Sequence, residues 1–161
     1  RFIYDESFKT PLLIRWPNKI KPGITNDEMV QNLDFAQTFL EAAGIDAPND
    51  MQGESLIPLL TENGEDWTRD AVYYHYYEYP SVHLVKRDYC IVNIDYKLVR
   101  FYYDVDEWEL YDRNNDPNEM NNVYNDPEYS DIVSDLKIQL AELRKKYKDS
   151  EELDQKFIYK N

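Results

Sequence analysis

The middle segment, residues 71–112, constrains this chain most, because short tyrosine-rich runs follow one another there with almost nothing between them. Val72, Tyr73, Tyr74, Tyr76 and Tyr77 form the first run, which ends at Tyr79-Pro80. Residues 83–86, 89–94, 97–103 and 107–111 follow, separated by Arg87-Asp88, Asp95 and Asp104. Runs this close, rich in Val, Ile and Tyr, predict an antiparallel meander. Downstream, Ile132, Val133, Leu136, Leu140, Leu143 and Tyr147 recur at helical spacing within residues 128–149. Lys and Arg gather in the last turns of that stretch, where the helix dipole favours cations. A small antiparallel sheet packed on this C-terminal helix gives an α+β fold class.

Upstream, Pro11-Leu12-Leu13-Ile14-Arg15-Trp16-Pro17 is apolar without alternation and reads as a buried strand of a parallel or mixed sheet. Residues 34–43 read as a helix with Asp34 as N-cap, Gln37 at the capping-box position and Gly44 at C′. Its apolar face holds Phe35, Phe39 and Leu40 with Ala36 and Ala43. Ser55 is the expected N-cap of a brief helix over 56–60. Residues 61–69 are polar and contain Asn63-Gly64, which predicts a surface loop and a subdomain boundary. An Asn/Asp/Pro loop spans 112–127, and residues 150–161 form a charged tail with one apolar patch, Phe157-Ile158-Tyr159.

Composition removes several function classes. The net charge of −14, from 32 acidic and 18 basic residues, is the wrong sign for non-specific nucleic-acid binding or an anionic membrane surface. No apolar run approaches the length that spans a bilayer. Fifteen tyrosines and an aromatic share of 15% separate the chain from disordered acidic tails. Cys90 is the only cysteine, so neither an internal disulfide nor a thiolate zinc cage is available. Four glycines leave no phosphate-cradling loop, and no nucleophile elbow is present. The chain opens at Arg1 without Met and reads as a piece of something longer.

The residues with chemical potential each have a plain structural reading. His75 sits inside an alternating tyrosine run and reads as an ordinary core or surface residue, whereas His83 follows Tyr79-Pro80 in a loop suited to recognition. Asp112-Arg113-Asn114-Asn115-Asp116-Pro117-Asn118 has oxygen ligands at alternate positions, as a calcium loop does. Pro117 stands where that loop needs glycine and Val123 where it needs glutamate, so a hydrogen-bonded turn is expected instead. Asp104, Asp106 and Glu107 read as solvated carboxylates rather than an acid/base pair, and Cys90 as a small core hydrophobe. From the residues alone, the chain is an α+β fragment without a self-contained active site.

Several segments, in this order, resemble the C-terminal part of type I (formylglycine-dependent) sulfatases of the alkaline-phosphatase superfamily. They are Tyr4-Asp5-Glu6-Ser7 with Thr10-Pro11-Leu12-Leu13-Ile14-Arg15-Trp16-Pro17, residues 34–44, and Gln52-Gly53-Glu54-Ser55-Leu56 with Pro58-Leu59-Leu60. Tyr77-Glu78-Tyr79-Pro80, Tyr96-Lys97-Leu98-Val99 and Glu109-Leu110-Tyr111-Asp112 with Asp116-Pro117 continue the series. Each segment alone is weak, but their collinear order is specific. Tyr79-Pro80-Ser81-Val82-His83 and Asp106-Glu107-Trp108-Glu109-Leu110 look closest to bacterial sulfatases acting on glycosaminoglycan sugars.

The resemblance implies a division of labour. In that family a hydrated formylglycine, matured from a C/S-x-P-x-R motif, is the nucleophile, and a calcium ion held by Asp and Asn binds the sulfate. Cys90 is followed by Ile-Val-Asn, so nucleophile and calcium ligands are expected in a larger N-terminal α/β domain. No catalytic residue and no metal ligand are expected here, and the isolated chain is expected to be inactive. The resemblance makes residues 1–68 the end of that α/β domain, keeping a remnant strand and helix. Residues 69–149 become a C-terminal sheet-and-helix subdomain closing one wall of the substrate pocket, and 150–161 the tail.

His83 matches a histidine that reaches toward the sugar in similar glycan sulfatases; Tyr79 and Arg87 are its neighbouring substrate-binding candidates. The implied partners are a sulfated carbohydrate, the N-terminal sulfatase domain and, through the exposed apolar strand, another copy of the chain; nucleic acid and membrane are not among them. Family habit implies a periplasmic or secreted bacterial location. The rival reading is a non-catalytic carbohydrate-binding or interaction module built on the aromatic sheet.

Overall fold

The computed structural model describes residues 2–61, 64, 67–80 and 82–158. Its elements run α1 (Asp5–Phe8), α2 (Asp34–Ala42), α3 (Ile57–Thr61), β1 (Ala71–Tyr76), β2 (Asp88–Asn93), β3 (Tyr96–Phe101), β4 (Glu107–Asp112), a 3-10 turn (Pro127–Tyr129), α4 (Ser130–Lys146) and α5 (Glu151–Lys156). Two compact units emerge, one of Arg1–Thr10 with Tyr73–Asn161 and the other of Pro11–Val72.

The first unit is the expected meander and helix. Its four-stranded sheet has the order β1-β2-β3-β4, with β2 antiparallel to β3 and β3 antiparallel to β4. Asn93 shapes the β2–β3 turn, its side-chain oxygen accepting the Asp95 and Tyr96 N–H groups at 3.0 and 2.6 Å. Cys90, Ile91, Leu98, Val99 and Leu110 are fully buried, and α4 packs on β2 and β3 with Val133, Leu136 and Leu140 inward. Each aliphatic side chain of this size contributes about 1.5–3 kcal/mol on burial.

Buried ionisable groups depart from this apolar pattern, Lys97 and Asp88 among them. The Lys97 ammonium donates to Asp5 Oδ1 (2.7 Å) and the Ile3 carbonyl (2.9 Å) and pairs with Glu119, which ties the N-terminal residues into the sheet unit. Burial alone would raise the Asp5 carboxyl, but its bonds to Lys97 and Arg113 outweigh that and hold it below the ordinary range. Asp88 has no such support. It is buried, neither carboxyl oxygen has a hydrogen-bond partner among the described residues, and burial with the nearby Glu109 charge pushes its pKa up to about 7.

The Pro11–Val72 unit is organised by Asp34. Its buried carboxylate accepts a fork from Arg69 at 2.5 and 2.8 Å, the Gln31 N–H at 2.6 Å and the Glu54 N–H at 2.9 Å. Thr38 donates its hydroxyl to the Asp34 carbonyl and accepts the Leu56 N–H at 2.9 Å, joining α2 to the start of α3. Gly53 runs so close to Leu33 that a Cβ there would lie 2.2 Å from the Leu33 carbonyl oxygen, so only glycine fits.

Several expectations are corrected by this arrangement. Residues 11–16 form no strand: a strand needs a hydrogen-bonded neighbour, and none of the described residues supplies one. Leu13 is 93% exposed. Asp34 is the first residue of α2 and serves Arg69 rather than capping; the helix buries Asp34, Gln37 and Thr38 while Phe39 is 72% exposed. The Gly44 end is as expected, at φ 71° with the Gly44 and Ile45 N–H groups bonded to the Glu41 and Leu40 carbonyls. Residues 83–86 are irregular, not a strand. The tail contains α5, capped by Ser150, with Asp154 and Ile158 buried; Tyr159 of its apolar patch, and Asn63 of the expected 61–69 loop, lie outside the described residues.

Arg69→Met leaves the Asp34 carboxylate buried and uncompensated, and is expected to destabilise the Pro11–Val72 unit by about 3–5 kcal/mol. Native-state hydrogen exchange of the α2 amides reads this. A loss under about 1 kcal/mol, the scale of an exposed pair, would show that the pair is not what holds this unit.

Candidate functional site

Between β1 and β2 the chain leaves the sheet through Tyr77, Glu78 and a cis Tyr79–Pro80 peptide. At its outer end Val82 is 91% and Leu84 68% exposed, with His83 exposed between them. Leu84 holds φ at 49°, in the left-handed region that bulky side chains rarely adopt. The buried Val85 re-anchors the strand that follows.

Arg87 fastens this loop from beneath. Its guanidinium donates to the Tyr77 carbonyl (3.2 Å), the Tyr79 carbonyl, the Phe157 carbonyl (3.3 Å) and Asp104 Oδ2 (2.6 Å), and the side chain is 1% exposed. Four of its five N–H donors are bonded within the fold, so Arg87 braces the loop from its buried side. Tyr79 is half-buried; its hydroxyl accepts from Lys86 Nζ at 2.5 Å, and that ammonium lies 3.9 Å from the ring centroid. Tyr79, Lys86 and the exposed His83 thus share one loop held by Arg87.

Sequence reasoning set His75 aside, yet it is the hub of a buried polar network. The alternation that puts Tyr73, His75 and Tyr77 on one side of the chain gathers them around Asp149. His75 Nδ1 meets Asp149 Oδ2 at 2.7 Å and Nε2 meets the Tyr102 hydroxyl at 2.7 Å, while Tyr73 and Tyr77 also donate to Asp149. Arg144 pairs with Asp149 (3.3 Å) and Asp154 (2.9 Å). Burial disfavours the imidazolium more than Asp149 supports it, so the His75 pKa falls to about 4. Its partner Asp149 is held below the ordinary carboxylate range, as the Tyr73 and His75 bonds and the Arg144 charge overcome its own burial.

The ligand atoms of His75, Asp149 and Asp154 lie within 4.8 Å of one another, close enough for a metal ion. Arg144 already pairs with both carboxylates, and both imidazole nitrogens are engaged, so a cation would have to displace protein partners. The arrangement suits a structural clamp on α5. The signal for it lay in the acidic tail, whose Asp154 is useful only if buried beside a base.

The remaining candidates resolve simply. Asp104 is the counter-ion of Arg87 rather than a solvated acid, while Asp106 pairs with Arg100 at the surface. Asp112 accepts the Asn114 and Asn115 N–H groups (3.1 and 3.0 Å) and the Tyr129 hydroxyl (3.0 Å), making the 112–118 segment a hydrogen-bonded turn. Cys90 is buried, and burial pushes its thiol well up, out of reach of nucleophilic use.

Comparison with known proteins gives these features a context. Residues 1–146 match the family described as N-sulphoglucosamine sulphohydrolase, C-terminal. An N-acetylglucosamine-6-O-sulfatase of Bacteroides thetaiotaomicron is 49% identical over 154 residues, covering 94% of this chain and 27% of that protein. The human N-acetylglucosamine-6-sulfatase is 43% identical over 61 residues, 37% of this chain and 11% of that one. A solved structure in complex with its substrate D-glucosamine-2-N,6-O-disulfate superposes with a TM-score of 0.81 at 49% identity, over 85% of this chain and 28% of that one. The chain thus spans between a quarter and a third of the length of the Bacteroides enzyme and of the solved chain.

The two buried titrating groups oppose each other in acid. His75, at about 4 when folded against 6.5 unfolded, keeps its full contribution above pH 6.5 and loses about 3 kcal/mol as pH falls toward 4. Asp88, at about 7 against 3.8, contributes fully below pH 3.8 and loses that contribution as pH rises through 7, and the raised Asp154 carboxyl works in the same direction. Denaturant titrations between pH 4.5 and 6.5 should therefore be nearly flat for the wild type. Asp88→Asn should lose stability as pH falls, and His75→Gln should gain it. Parallel curves for all three proteins would refute this opposition.

Proposed function

The chain belongs to the N-sulphoglucosamine sulphohydrolase C-terminal family of sulfatases, and from that we propose that it forms one wall of the substrate pocket in an enzyme hydrolysing sulfate esters on carbohydrates. The observation that carries the reading is the 49% identity to an N-acetylglucosamine-6-O-sulfatase along 94% of the chain. A 6-O-sulfated glucosamine is accordingly the proposed substrate. The 77–87 loop supplies what a sugar-facing wall needs: a fixed base at Arg87, an aromatic face at Tyr79 and an exposed imidazole at His83. In this reading His83 and Tyr79 contact the sugar and Arg87 holds them in place.

The chemistry itself is assigned elsewhere. The calcium ion implied by the family is assigned to none of these residues: among the described residues the His75, Asp149 and Asp154 group has ligand spacing, but Arg144 already occupies both carboxylates. The nucleophile and calcium ligands are placed in the N-terminal sulfatase domain, so the isolated chain is expected to release no sulfate. No described helix is long and apolar enough to cross a membrane. A periplasmic or secreted bacterial location is part of the same proposal.

Sulfate release from N-acetylglucosamine 6-O-sulfate by the full-length protein tests this directly. His83→Ala is expected to lower kcat/KM about tenfold, the scale of one lost polar substrate contact. Saturable sugar binding without any sulfate release would instead identify a carbohydrate-binding module.

A second expectation concerns the exposed apolar side chains Leu13, Ile24, Phe39 and Ile45 of the Pro11–Val72 unit. They are proposed to be covered by the rest of the sulfatase fold, so the isolated chain should self-associate in sedimentation experiments. A sharp monomer at all concentrations would contradict that.

A further inference from the structure

We infer that Lys86 is a specificity-determining residue of the loop, recognising a second sulfo group on the sugar, beside the ester that is cleaved. The inference rests on the sugar-facing role proposed for this loop. Lys86 stands three residues after His83, and its ammonium is held against Tyr79, 2.5 Å from the hydroxyl and 3.9 Å from the ring centroid. The ring fixes the position of the charge without neutralising it. Its neighbour Arg87 takes Asp104, and no carboxylate among the described residues pairs with Lys86.

An ammonium has three N–H donors, and the Tyr79 hydroxyl uses one of them. Two donors and an uncompensated charge remain at a half-buried position on a loop whose tip is otherwise open to solvent. A sulfo group, with three acceptor oxygens and one negative charge, fits that remainder; an acetyl group does not. The acidic remainder of the chain sharpens the effect. At long range it repels sulfated sugars, so preference for them depends on cations at contact distance, inside the screening length.

The test compares wild type, Lys86→Met and Lys86→Arg in the full-length protein. Methionine keeps an apolar stem over the Tyr79 ring and removes only the charge. For glucosamine 2-N,6-O-disulfate, Lys86→Met should lower kcat/KM about tenfold, with less than about a twofold change for N-acetylglucosamine 6-O-sulfate, while Lys86→Arg retains most of the preference. An equal fall on both substrates would reduce Lys86 to a brace for Tyr79 and overturn the inference, as would no change on either. If the wild type cleaves neither ester, the sulfatase reading fails by itself. Titration with glucosamine N-sulfate and N-acetylglucosamine, which carry no 6-ester, then decides: selective loss of the N-sulfate affinity in Lys86→Met supports the inference, and equal affinities in the two proteins overturn it.

Discussion

The guanidinium of Arg87 ties together three stretches that are distant in sequence. Tyr77 and Tyr79 offer carbonyls from the loop, Asp104 a carboxylate from the region between β3 and β4, and Phe157 a carbonyl from beyond α5. Only a planar fork with five donors can serve acceptors in so many directions, and a buried charge of this kind is tolerated only when such a set of partners is complete. The loop is thereby fastened at its base while Val82, His83 and Leu84 stay in solvent. In the proposed sugar-facing role, such a pre-arranged surface spares binding the entropic cost of ordering it.

The same economy runs through the molecule. Arg69, Arg87 and Lys97 are buried, and Arg144 is nearly so, each surrounded by carboxylates or carbonyls. Acidic groups go inside with them: Asp34, Asp88, Asp112, Glu119 and Asp154 are buried as well, so the interior holds both signs of charge. Exposed lysines such as Lys9, Lys19, Lys21 and Lys148 stand in solvent, whereas Lys86 is half-buried with its ammonium against the Tyr79 ring. That placement, rather than the charge itself, distinguishes Lys86 from a lysine on an ordinary surface.

The sheet and the C-terminal helix were legible because their signals are local: alternation, close spacing and helical recurrence of Leu136, Leu140 and Leu143 need no distant partner. Gly44 was legible for the same reason. Asp34 looks like a cap in the sequence because its partner, Arg69, lies 35 residues away, and no local pattern announces such a pair. Leu12, Leu13 and Ile14 have the composition of a strand, but pairing is a property of neighbours, and none is among the described residues. His75 was set aside since one histidine in a tyrosine run carries no chemical signal; its meaning arises only when Asp149 and Asp154 return from the tail. His83 and Tyr79 entered through a resemblance, and the structure adds the geometry of the loop that carries them.

The cage around Lys97 also bears on how the molecule can be cut. Two of its three partners, Ile3 and Asp5, precede the Pro11–Val72 unit, whereas Glu119 follows it. The sheet unit is thus discontinuous along the sequence, and Pro11–Val72 is an excursion inserted into it. A truncation that begins near residue 69 would keep all four strands yet strand an ammonium in the core with a single counter-ion. A scissile nick within the excursion would spare the cage, with the N-terminal peptide retained by its own salt bridges. The body that must be kept whole in any dissection is residues 73–161 together with the first ten residues, not the contiguous C-terminal half alone.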